Sequence, residues 1–391
     1  MWLIFLDTLL SFLYIHSILK QVIFTSSTSK RMKTRIGIVT GGGDCPGLNA
    51  VIRAVAKAAA KRGWETLGFL GGYEGMLDPV SYQVLDYHAL DGLLFRGGTI
   101  LGTSNKGRFA VKTGMGQVNR IPVDILDAAK ATFEGLGLHA LVCIGGDGSL
   151  TIAQQLFEHG VPVVGVPKTI DNDLEATVVT FGFDSAIATA TDALDRLHTT
   201  AESHQRVMIL EVMGRHAGWI ALSAGIAGGG DVILIPEIPF RYDSVCAKIA
   251  ERESQGKRFT LIVVAEGATE RGGQVVTSGA AESNREVRLG GIGARVAAEV
   301  QQRVGKETRV CVLGHLQRGG GPTGFDRLLC TRFGARAVQL IADDQYGYMV
   351  ALHPPDTVAV RITEAIGRLK TVPPDGDLVQ TARALGISLG D

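Results

Sequence analysis

The chain has 391 residues, of which 46% are hydrophobic and 20% are charged, so it has the apolar mass for two domains and not the composition of a disordered protein. Its 39 lysine and arginine residues balance 39 aspartate and glutamate residues, which excludes a general attraction to nucleic acid or anionic lipid. The five cysteines are widely spaced, unlike a disulfide framework or a CxxC metal pair, and they favour a reducing, cytoplasmic setting.

The first 32 residues form an apolar extension that differs from the rest of the chain. Asp7, His16 and Lys20 make it a poor membrane span, and it lacks the basic start and the cleavage site of a signal peptide. Three interpretations stay open: a misassigned start codon, a membrane anchor, and a disordered or partner-binding tail. We expect the globular domain to begin near Lys33, with no membrane involved in its function.

From Arg35 onward, short β-branched segments alternate with longer amphipathic patterns, which is typical of a parallel sheet covered by helices. Helices are predicted over residues 49–62 and 289–304, each followed by a glycine that can end it. The predicted strands cover residues 35–40, 140–144, 162–166, 207–212, 232–236, 260–265 and 308–313. Their nearly continuous hydrophobicity indicates burial on both faces, so the predicted fold class is α/β with doubly wound sheets.

The first predicted strand ends in a glycine-rich turn that leads into a helix. Gly41, Gly42 and Gly43 precede the helix N-terminus, where backbone N–H groups and the helix dipole suit a phosphate. A tight turn also needs glycine, so phosphate binding and simple turn formation both stay open at this point. The spacing matches neither a Walker A motif nor a GxGxxG fingerprint, which disfavours a P-loop kinase and a dinucleotide dehydrogenase.

Acidic residues follow two further strands. Asp147 lies among glycines at a strand end, where it could hold Mg²⁺ beside phosphate oxygens or, alternatively, cap the next helix. Beyond Pro167, Asp171 and Asp173 are spaced to point to the same side of an extended chain, so one can accept a proton while the other helps to place metal or substrate. A solvated acidic turn would look similar, but the adjacent Lys168 favours a catalytic interpretation.

In order and spacing, these motifs resemble the phosphofructokinase family over about residues 35–344. The shared signatures are Gly-Gly-Asp-Gly-Ser at 145–149 and Pro-Lys-Thr-Ile-Asp-Asn-Asp at 167–173, with further matching segments at 181–186, 203–206, 211–215, 265–267 and 313–320. The resemblance implies phosphoryl transfer to the 1-hydroxyl of fructose 6-phosphate, which gives fructose 1,6-bisphosphate in glycolysis.

The resemblance also implies two doubly wound α/β/α subdomains with an active-site cleft between them. The implied donor-binding subdomain covers residues 33–182 and 317–367. The implied fructose 6-phosphate-binding subdomain covers residues 183–316 and 368–391. Since the family builds its site from more than one subunit, a homodimer or homotetramer is expected.

Individual roles follow from the same resemblance. Asp171 would take the proton of the sugar hydroxyl, Asp147 would coordinate Mg²⁺, and Arg215 would neutralise charge on the transferring group. The implied catalytic residues are Asp171, Asp173, Arg215, Thr169 and Lys168. The implied donor-binding residues are Gly42, Gly43, Asn105, Lys106, Gly146, Asp147, Gly148 and Ser149. The implied sugar-binding residues are Thr169, Asp171, Asp173, Met213, Gly214, Arg215, Glu266, His315 and Arg318, joined by Arg206 and Arg309 from a neighbouring subunit.

Two positions bear on the phosphoryl donor. Pyrophosphate users of the family usually carry Asp where this chain has Gly148, which leaves room for a nucleotide. Lys168 is typical of pyrophosphate users, but Asn105 stands where many bacterial ATP users have Arg, so we interpret Lys168 as replacing that charge. The sequence therefore favours ATP, with pyrophosphate or ADP as the alternatives.

Two other kinds of protein share part of the pattern. The NAD and lipid kinases have a similar Gly-Gly-Asp-Gly signature, but they do not account for His315 and Arg318. A regulatory subunit that only binds sugar phosphate would have lost a catalytic group, yet Asp147, Asp171 and Arg215 are all present.

An effector site is a further possibility, since Arg53 and Lys57 are similar to effector-binding residues of bacterial relatives. Asp231 stands where those relatives often have an acidic effector ligand, whereas Lys257 and Arg258 match imperfectly. An exposed basic helix face would show the same pattern as Arg53 and Lys57, so allosteric regulation stays open.

Overall fold

The computed structural model describes four stretches of the chain, residues 33–104, 107–109, 120–277 and 289–391. The predicted extension over residues 1–32 lies outside the described residues, as do the predicted donor-binding residues Asn105 and Lys106. Within the described stretches, no helix combines the length and the apolar character needed to cross a membrane.

Eleven strands and ten α-helices make up the described part of the chain. The strands are β1 (Arg35–Thr40), β2 (Glu65–Phe69), β3 (Tyr82–Val84), β4 (Leu138–Gly145), β5 (Val163–Pro167), β6 (Val207–Val212), β7 (Val232–Leu234), β8 (Thr260–Ala265), β9 (Thr308–Val312), β10 (Tyr348–His353) and β11 (Asp356–Arg361). The helices are α1 (Leu48–Lys61), α2 (Val123–Gly135), α3 (Asp147–Glu158), α4 (Phe183–His204), α5 (Trp219–Ala227), α6 (Tyr242–Ser254), α7 (Ile292–Val304), α8 (Gly324–Ala342), α9 (Ile362–Ala365) and α10 (Asp377–Ala384). A 3₁₀ helix, Gly314–Arg318, follows β9.

The strands form two sheets. The larger has the order β11-β10-β5-β4-β1-β2-β3, with a parallel centre and one antiparallel strand at each edge. The smaller is fully parallel, with the order β7-β8-β6-β9. The predicted doubly wound α/β fold is confirmed, and the subdomain boundaries stay a prediction.

Alternate residues of the central strands pack on opposite faces of the larger sheet. Ile36 and Ile38 of β1 belong to a central apolar cluster, whereas Val39 belongs to a second cluster under α2 and α3. The central cluster also takes in Leu210 and Val212 of β6, so one core joins a face of each sheet. A third cluster covers the other face of the smaller sheet, under α6 and α7.

Helices α1 and α8 pack closely against each other, and both contribute residues to the central cluster. A Cβ atom on Gly334 of α8 would lie 2.6 Å from the Cβ of Ala54, so glycine permits this approach. At the start of α8, Asp326 is completely buried and accepts hydrogen bonds from the backbone N–H of Gly182 and from both the N–H and the hydroxyl of Ser185. This carboxylate fixes the start of α4 against α8.

All seven predicted strands are present, with bounds within two residues of those predicted. Four strands were not predicted. Strands β2 and β3 are short and lie at one side of the larger sheet, and β10 and β11 form an antiparallel pair at the other. The partly exposed strands β3 and β11 carry a weaker hydrophobic signal than the buried central strands, whereas β2 and β10 are largely buried and were missed without such a reason.

Candidate active site

Three loops leave the carboxyl ends of the adjacent strands β1, β4 and β5 at one edge of the larger sheet. The main chain links them directly, since Gly41 N donates to Ile144 O and Lys168 N donates to Gly145 O, each at 2.9 Å. The three predicted motifs therefore lie side by side, at the edge where open α/β sheets bind ligands.

The glycines of the first two loops allow an approach that side chains would prevent. A Cβ atom on Gly145 would lie 2.1 Å from the Cβ of Ser149, and one on Gly41 would lie 2.4 Å from the Ser149 hydroxyl oxygen. Gly42 has a φ of 78°, in the left-handed region that favours glycine. The turn itself requires these residues, and their contact with a phosphate stays a prediction.

Two cations from other parts of the chain hold the first loop. The Lys168 ammonium, with only 4% of the residue exposed, donates to the carbonyl oxygen of Gly43 at 2.5 Å. Arg318, on the 3₁₀ helix Gly314–Arg318, donates from Nη1 to the carbonyl oxygen of Asp44 at 3.1 Å. Burial lowers the pKa of Lys168. Positive charge is therefore concentrated beside the glycine turn.

The carboxyl group of Asp171 has an unusual environment. Its Oδ1 atom is buried, and none of the described residues offers it a hydrogen-bond partner. Burial raises the pKa of Asp171 to about 7, and the nearby charges of Asp173 and Glu266 add to the rise while Arg318 and Lys168 oppose it. A buried oxygen without a partner calls for an explanation, and a ligand hydroxyl would satisfy it.

The backbone around Asp171 is held by local hydrogen bonds. Asn172 has a φ of 51°, and its side-chain oxygen accepts from Thr180 N at 3.1 Å. The Thr169 hydroxyl accepts from Asp171 N at 3.2 Å. Burial raises the pKa of Asp173, and a hydrogen bond with Thr169 partly opposes this. Both carboxylates are therefore poised to bind a proton more readily than an exposed aspartate.

Asp147 is the first residue of α3. Gly146 occupies the N-cap position, so the helix-cap interpretation of Asp147 is wrong. Its Oδ1 accepts from Gly367 N at 3.0 Å. Burial raises the pKa of Asp147, the bond from Gly367 opposes this, and the charge of Asp173 adds to the rise. Asp147 and Asp173 are thus close enough for their charges to interact.

These carboxylates fit a magnesium ion that is shared with a phosphate. Mg²⁺ is usually held by one or two carboxylates together with waters and substrate phosphates. Over residues 33–104, 107–109, 120–277 and 289–391, no group of three or more His, Cys, Asp or Glu is placed to hold a metal ion. Asp147 and Asp173 match the one-or-two pattern, in which the donor completes the coordination.

A second set of predicted residues lies at the carboxyl edge of the smaller sheet. Glu266 follows β8, and its N–H donates to Val212 O at 2.9 Å. Burial and the charge of Glu211 raise the pKa of Glu266, whereas Arg215 and Arg318 oppose this. The charge of Glu266 also acts on Asp171, so this set lies near the loop that carries Asp171.

A family model described as "Phosphofructokinase" matches residues 35–341. The chain belongs to the phosphofructokinase family. A protein of Chloroflexus aurantiacus named ATP-dependent 6-phosphofructokinase is 56% identical over 92% of this chain and 98% of its own length. A protein of Amycolatopsis methanolica named pyrophosphate–fructose 6-phosphate 1-phosphotransferase is 50% identical over 87% of this chain and 97% of its own length.

Solved phosphofructokinase structures have the same fold. Pichia pastoris phosphofructokinase in the T-state aligns with a TM-score of 0.75 and 31% identity, over 85% of this chain and 35% of that one. The pyrophosphate-dependent phosphofructokinase of Marinobacter aquaeolei aligns with a TM-score of 0.74 and 21% identity, over 92% of each chain. The resemblance drawn from the motifs is confirmed at the level of family and fold.

Two predicted phosphofructokinase site residues lie elsewhere. Arg206 and Arg309 are at the amino ends of β6 and β9, and both pair with Glu307, Arg206 at 2.7 Å. Six-residue β6 separates this edge from the carboxyl edge by about 20 Å. The two arginines therefore do not join Asp171 of the same chain.

The candidate effector residues make contacts of their own. Lys57 pairs with Asp91 at 2.7 Å and lies over the ring of Tyr87. The two carboxylate oxygens of Asp231 accept from Arg252 at 2.5 Å and from Leu261 N at 2.8 Å. Asp231 thus has a structural role in the smaller sheet, and an effector site stays a prediction.

The other predicted residues divide between the two sheet edges. At the larger sheet lie Gly42, Gly43, Gly146, Asp147, Gly148, Ser149, Lys168, Thr169, Asp171 and Asp173. At the smaller sheet lie Met213, Gly214, Arg215, Glu266, His315 and Arg318. The sequence reasoning missed Gln317, which is fully buried and accepts from Met213 N at 2.7 Å, although it lies inside a quoted motif. It also missed Gly367 and Lys370, for which the sequence offered no signal.

Proposed function

We propose that this chain is an ATP-dependent 6-phosphofructokinase that transfers the γ-phosphoryl group of ATP to the 1-hydroxyl of fructose 6-phosphate. The observation that carries the proposal is the buried Oδ1 of Asp171, which has no hydrogen-bond partner in the described part of the chain. A pKa of about 7 lets this carboxylate take a proton near neutral pH and release it again.

Asp171 acts as the base. As the sugar oxygen attacks the γ-phosphorus, its proton moves to Asp171, and the bond between the γ-phosphorus and the bridging oxygen of ADP breaks. Asp173 has its own raised pKa and lies near Asp147, and its charge helps to raise the pKa of the base, Asp171. Glu266 and Arg318 interact electrostatically with Asp171, which supports the binding of the sugar phosphate beside it.

The loop after β1 binds the donor. Gly43 lies in the glycine turn before α1, where its backbone N–H suits a phosphate oxygen, whereas the N–H of Gly42 already donates to Ser104 O at 3.2 Å. The Lys168 ammonium supplies a positive charge beside this turn. Asp147, with Asp173 nearby, would hold Mg²⁺, which neutralises phosphate charge when it is bound.

ATP is favoured over pyrophosphate by two observations. Gly148 has no side chain to crowd an α-phosphate, and Lys168, the feature shared with pyrophosphate users, is bonded to Gly43 O within the protein. The name of the 56% identical Chloroflexus relative agrees with ATP. Because a 50% identical relative is named for pyrophosphate, that donor is the second candidate.

Arg206 and Arg309 serve a neighbouring copy's site, because the length of β6 keeps them from their own. Their shared partner Glu307 leaves Arg309 about half exposed, with 54% of its side chain accessible. We therefore propose a homodimer or homotetramer with shared sugar sites. The five free thiols agree with a reducing cytoplasm.

The test is fructose 1,6-bisphosphate formation from fructose 6-phosphate and Mg²⁺, with ATP, pyrophosphate and ADP supplied in separate reactions. Turnover with ATP at least tenfold above the others is expected. A preference for pyrophosphate would assign the donor to the second candidate. Absence of product with every donor would overturn the proposed activity and favour a regulatory sugar-phosphate-binding subunit.

A further inference from the structure

The segment after β11 lies beyond the part of the chain that the family model matches, residues 35–341. It returns to the carboxyl edge of the larger sheet, where its main chain contacts Asp147 at the start of α3 and the loop that follows β5. Gly367 N donates to Asp147 at 3.0 Å, Leu369 pairs with Leu174, and Lys370 N donates to Asp173 O at 2.9 Å.

The Lys370 side chain adds a second layer of contacts to the same loop. Its ammonium donates to the side-chain oxygen of Asn172 at 2.9 Å and to the carbonyl oxygens of Thr177 at 2.9 Å and Val178 at 3.0 Å. A lysine ammonium has three donors, so these three acceptors use all of them. Lys370 thus joins the start and the end of the loop from Asp171 to Thr180.

Asn172 is the residue through which this contact reaches the aspartates. It lies between Asp171 and Asp173 and adopts the left-handed conformation, with a φ of 51°. Its side-chain oxygen accepts from both Lys370 and Thr180 N, so the turn is held from two sides. A side chain other than glycine in this conformation persists when its surroundings fix it.

The segment that contains Lys370 is anchored in turn to α5 and to the chain just before it. Trp219 Nε1, at the start of α5, donates to Lys370 O at 2.9 Å. Glu237 accepts from Val372 N at 2.8 Å and from Gly218 N at 2.9 Å. The position of Lys370 is therefore fixed by the chain that runs on from Arg215.

We propose that Lys370 is a positioning residue for the reaction, which holds the loop of residues 171–180 so that Asp171 faces the sugar hydroxyl. This inference rests on the proposed base role of Asp171. Lys370 acts through Asn172 and not through substrate. Since misplacement of a reacting group by about 1 Å can cost about 100-fold in rate, the loss of the ammonium should act on kcat.

Charged and aromatic groups surround the Lys370 ammonium. The charged groups that act on the ammonium are Asp173 and Glu175, both on the loop, and the centre of the Trp219 ring lies 5.9 Å away. Burial lowers the pKa of Lys370 to about 8, and these two carboxylates oppose that shift.

The experiment compares Lys370→Met, Lys370→Arg and a control, Lys248→Met, which removes a similarly shielded lysine that pairs with Glu251 on the surface of α6. We expect Lys370→Met to lower kcat by about 100-fold and to change the KM for fructose 6-phosphate less than threefold. Lys370→Arg should recover part of kcat, because a guanidinium also brings a positive charge and several N–H donors to the loop. Lys248→Met should leave both parameters unchanged. A kcat of Lys370→Met within threefold of the native value would overturn the proposal.

A measurement without turnover separates this inference from the proposed activity. Amide hydrogen exchange over residues 172–180 should be faster in Lys370→Met than in the native protein, above all at Thr180 N, which bonds to Asn172. Unchanged exchange would refute the positioning role, whether or not the chain phosphorylates fructose 6-phosphate. If the native enzyme is inactive but exchange still rises, the loop role stands and the assignment of the reaction fails.

Discussion

Replacing Asp171 with Asn should abolish most activity and, at the same time, stabilise the protein. The carboxyl group has its pKa raised from 3.8 to about 7, mainly by burial, so the folded state prefers the protonated form that Asn resembles. Between those two pH values the unfolded state is ionised while the folded state holds a proton, so native stability falls as pH rises.

The magnitude follows from the size of the shift. A shift of one pKa unit corresponds to about 1.36 kcal/mol. The rise from 3.8 to about 7 therefore lowers the free energy of unfolding by at most about 4 kcal/mol above pH 7. Because Asp173 and Asp171 titrate together, we expect about half of this, or about 2 kcal/mol. That corresponds to a Tm about 3–6 °C above the native value at pH 8, with the difference vanishing near pH 4.

Two assays test the prediction. Scanning calorimetry at pH 4.5 and pH 8 measures the Tm difference, and initial rates give a kcat for Asp171→Asn about 10²–10⁴-fold below native. The native kcat should rise with pH to a plateau above pH 7. A Tm difference that is the same at both pH values, or a variant that keeps a tenth of native kcat, would refute the reasoning about this carboxylate.

Three further substitutions probe the donor, the subunit arrangement and the core. Gly148→Asp should lower kcat/KM with ATP by about 100-fold and affect pyrophosphate less, since the added carboxylate would repel the α-phosphate; equal losses in rate assays with the two donors would contradict this. If sites are shared between subunits, mixing inactive Asp171→Asn with inactive Arg309→Ala should restore about a quarter of native activity, because half of the dimers are mixed and each has one intact site. No recovery after subunit exchange would argue against sharing. Asp326→Ala should lower the free energy of unfolding by about 3 kcal/mol in urea titrations, because the buried N–H and hydroxyl of Ser185 lose their acceptor; a loss below 1 kcal/mol would contradict the role of this carboxylate.

The central strands could be predicted because burial on both faces leaves a nearly unbroken hydrophobic run. Strand β4, with seven of its eight residues buried, is such a case. The sequence carries less information about β11, because this strand lies at the edge of the sheet and its residues are at most half-buried. Its hydrophobic residues therefore do not form an unbroken run. The glycine-rich turns could be located as well, because each follows directly on one of these hydrophobic runs.

Site residues could be predicted from the sequence where they stand together in one short motif. They could not be predicted where residues distant in sequence meet in the fold. Asp171 and Asp173 stand in one motif, so their closeness and their proposed role could be predicted from seven residues. Lys370 contacts Asn172 across 198 positions of sequence, and a single lysine in a polar tail has no local feature that marks it. The amino-edge position of Arg309 likewise depended on strand register, which the sequence does not specify.

The central apolar cluster limits how the two sheets can be separated or exchanged between relatives. The larger sheet is built from residues on both sides of the smaller one in sequence, and each sheet contributes one face to the same core. Excising residues 207–312 would remove Leu210, Val212 and their neighbours from this cluster, and the excised piece would expose them to water. Neither part is thus a transferable module, and a chimera that exchanges the smaller sheet between relatives must also match side-chain volumes across the shared core.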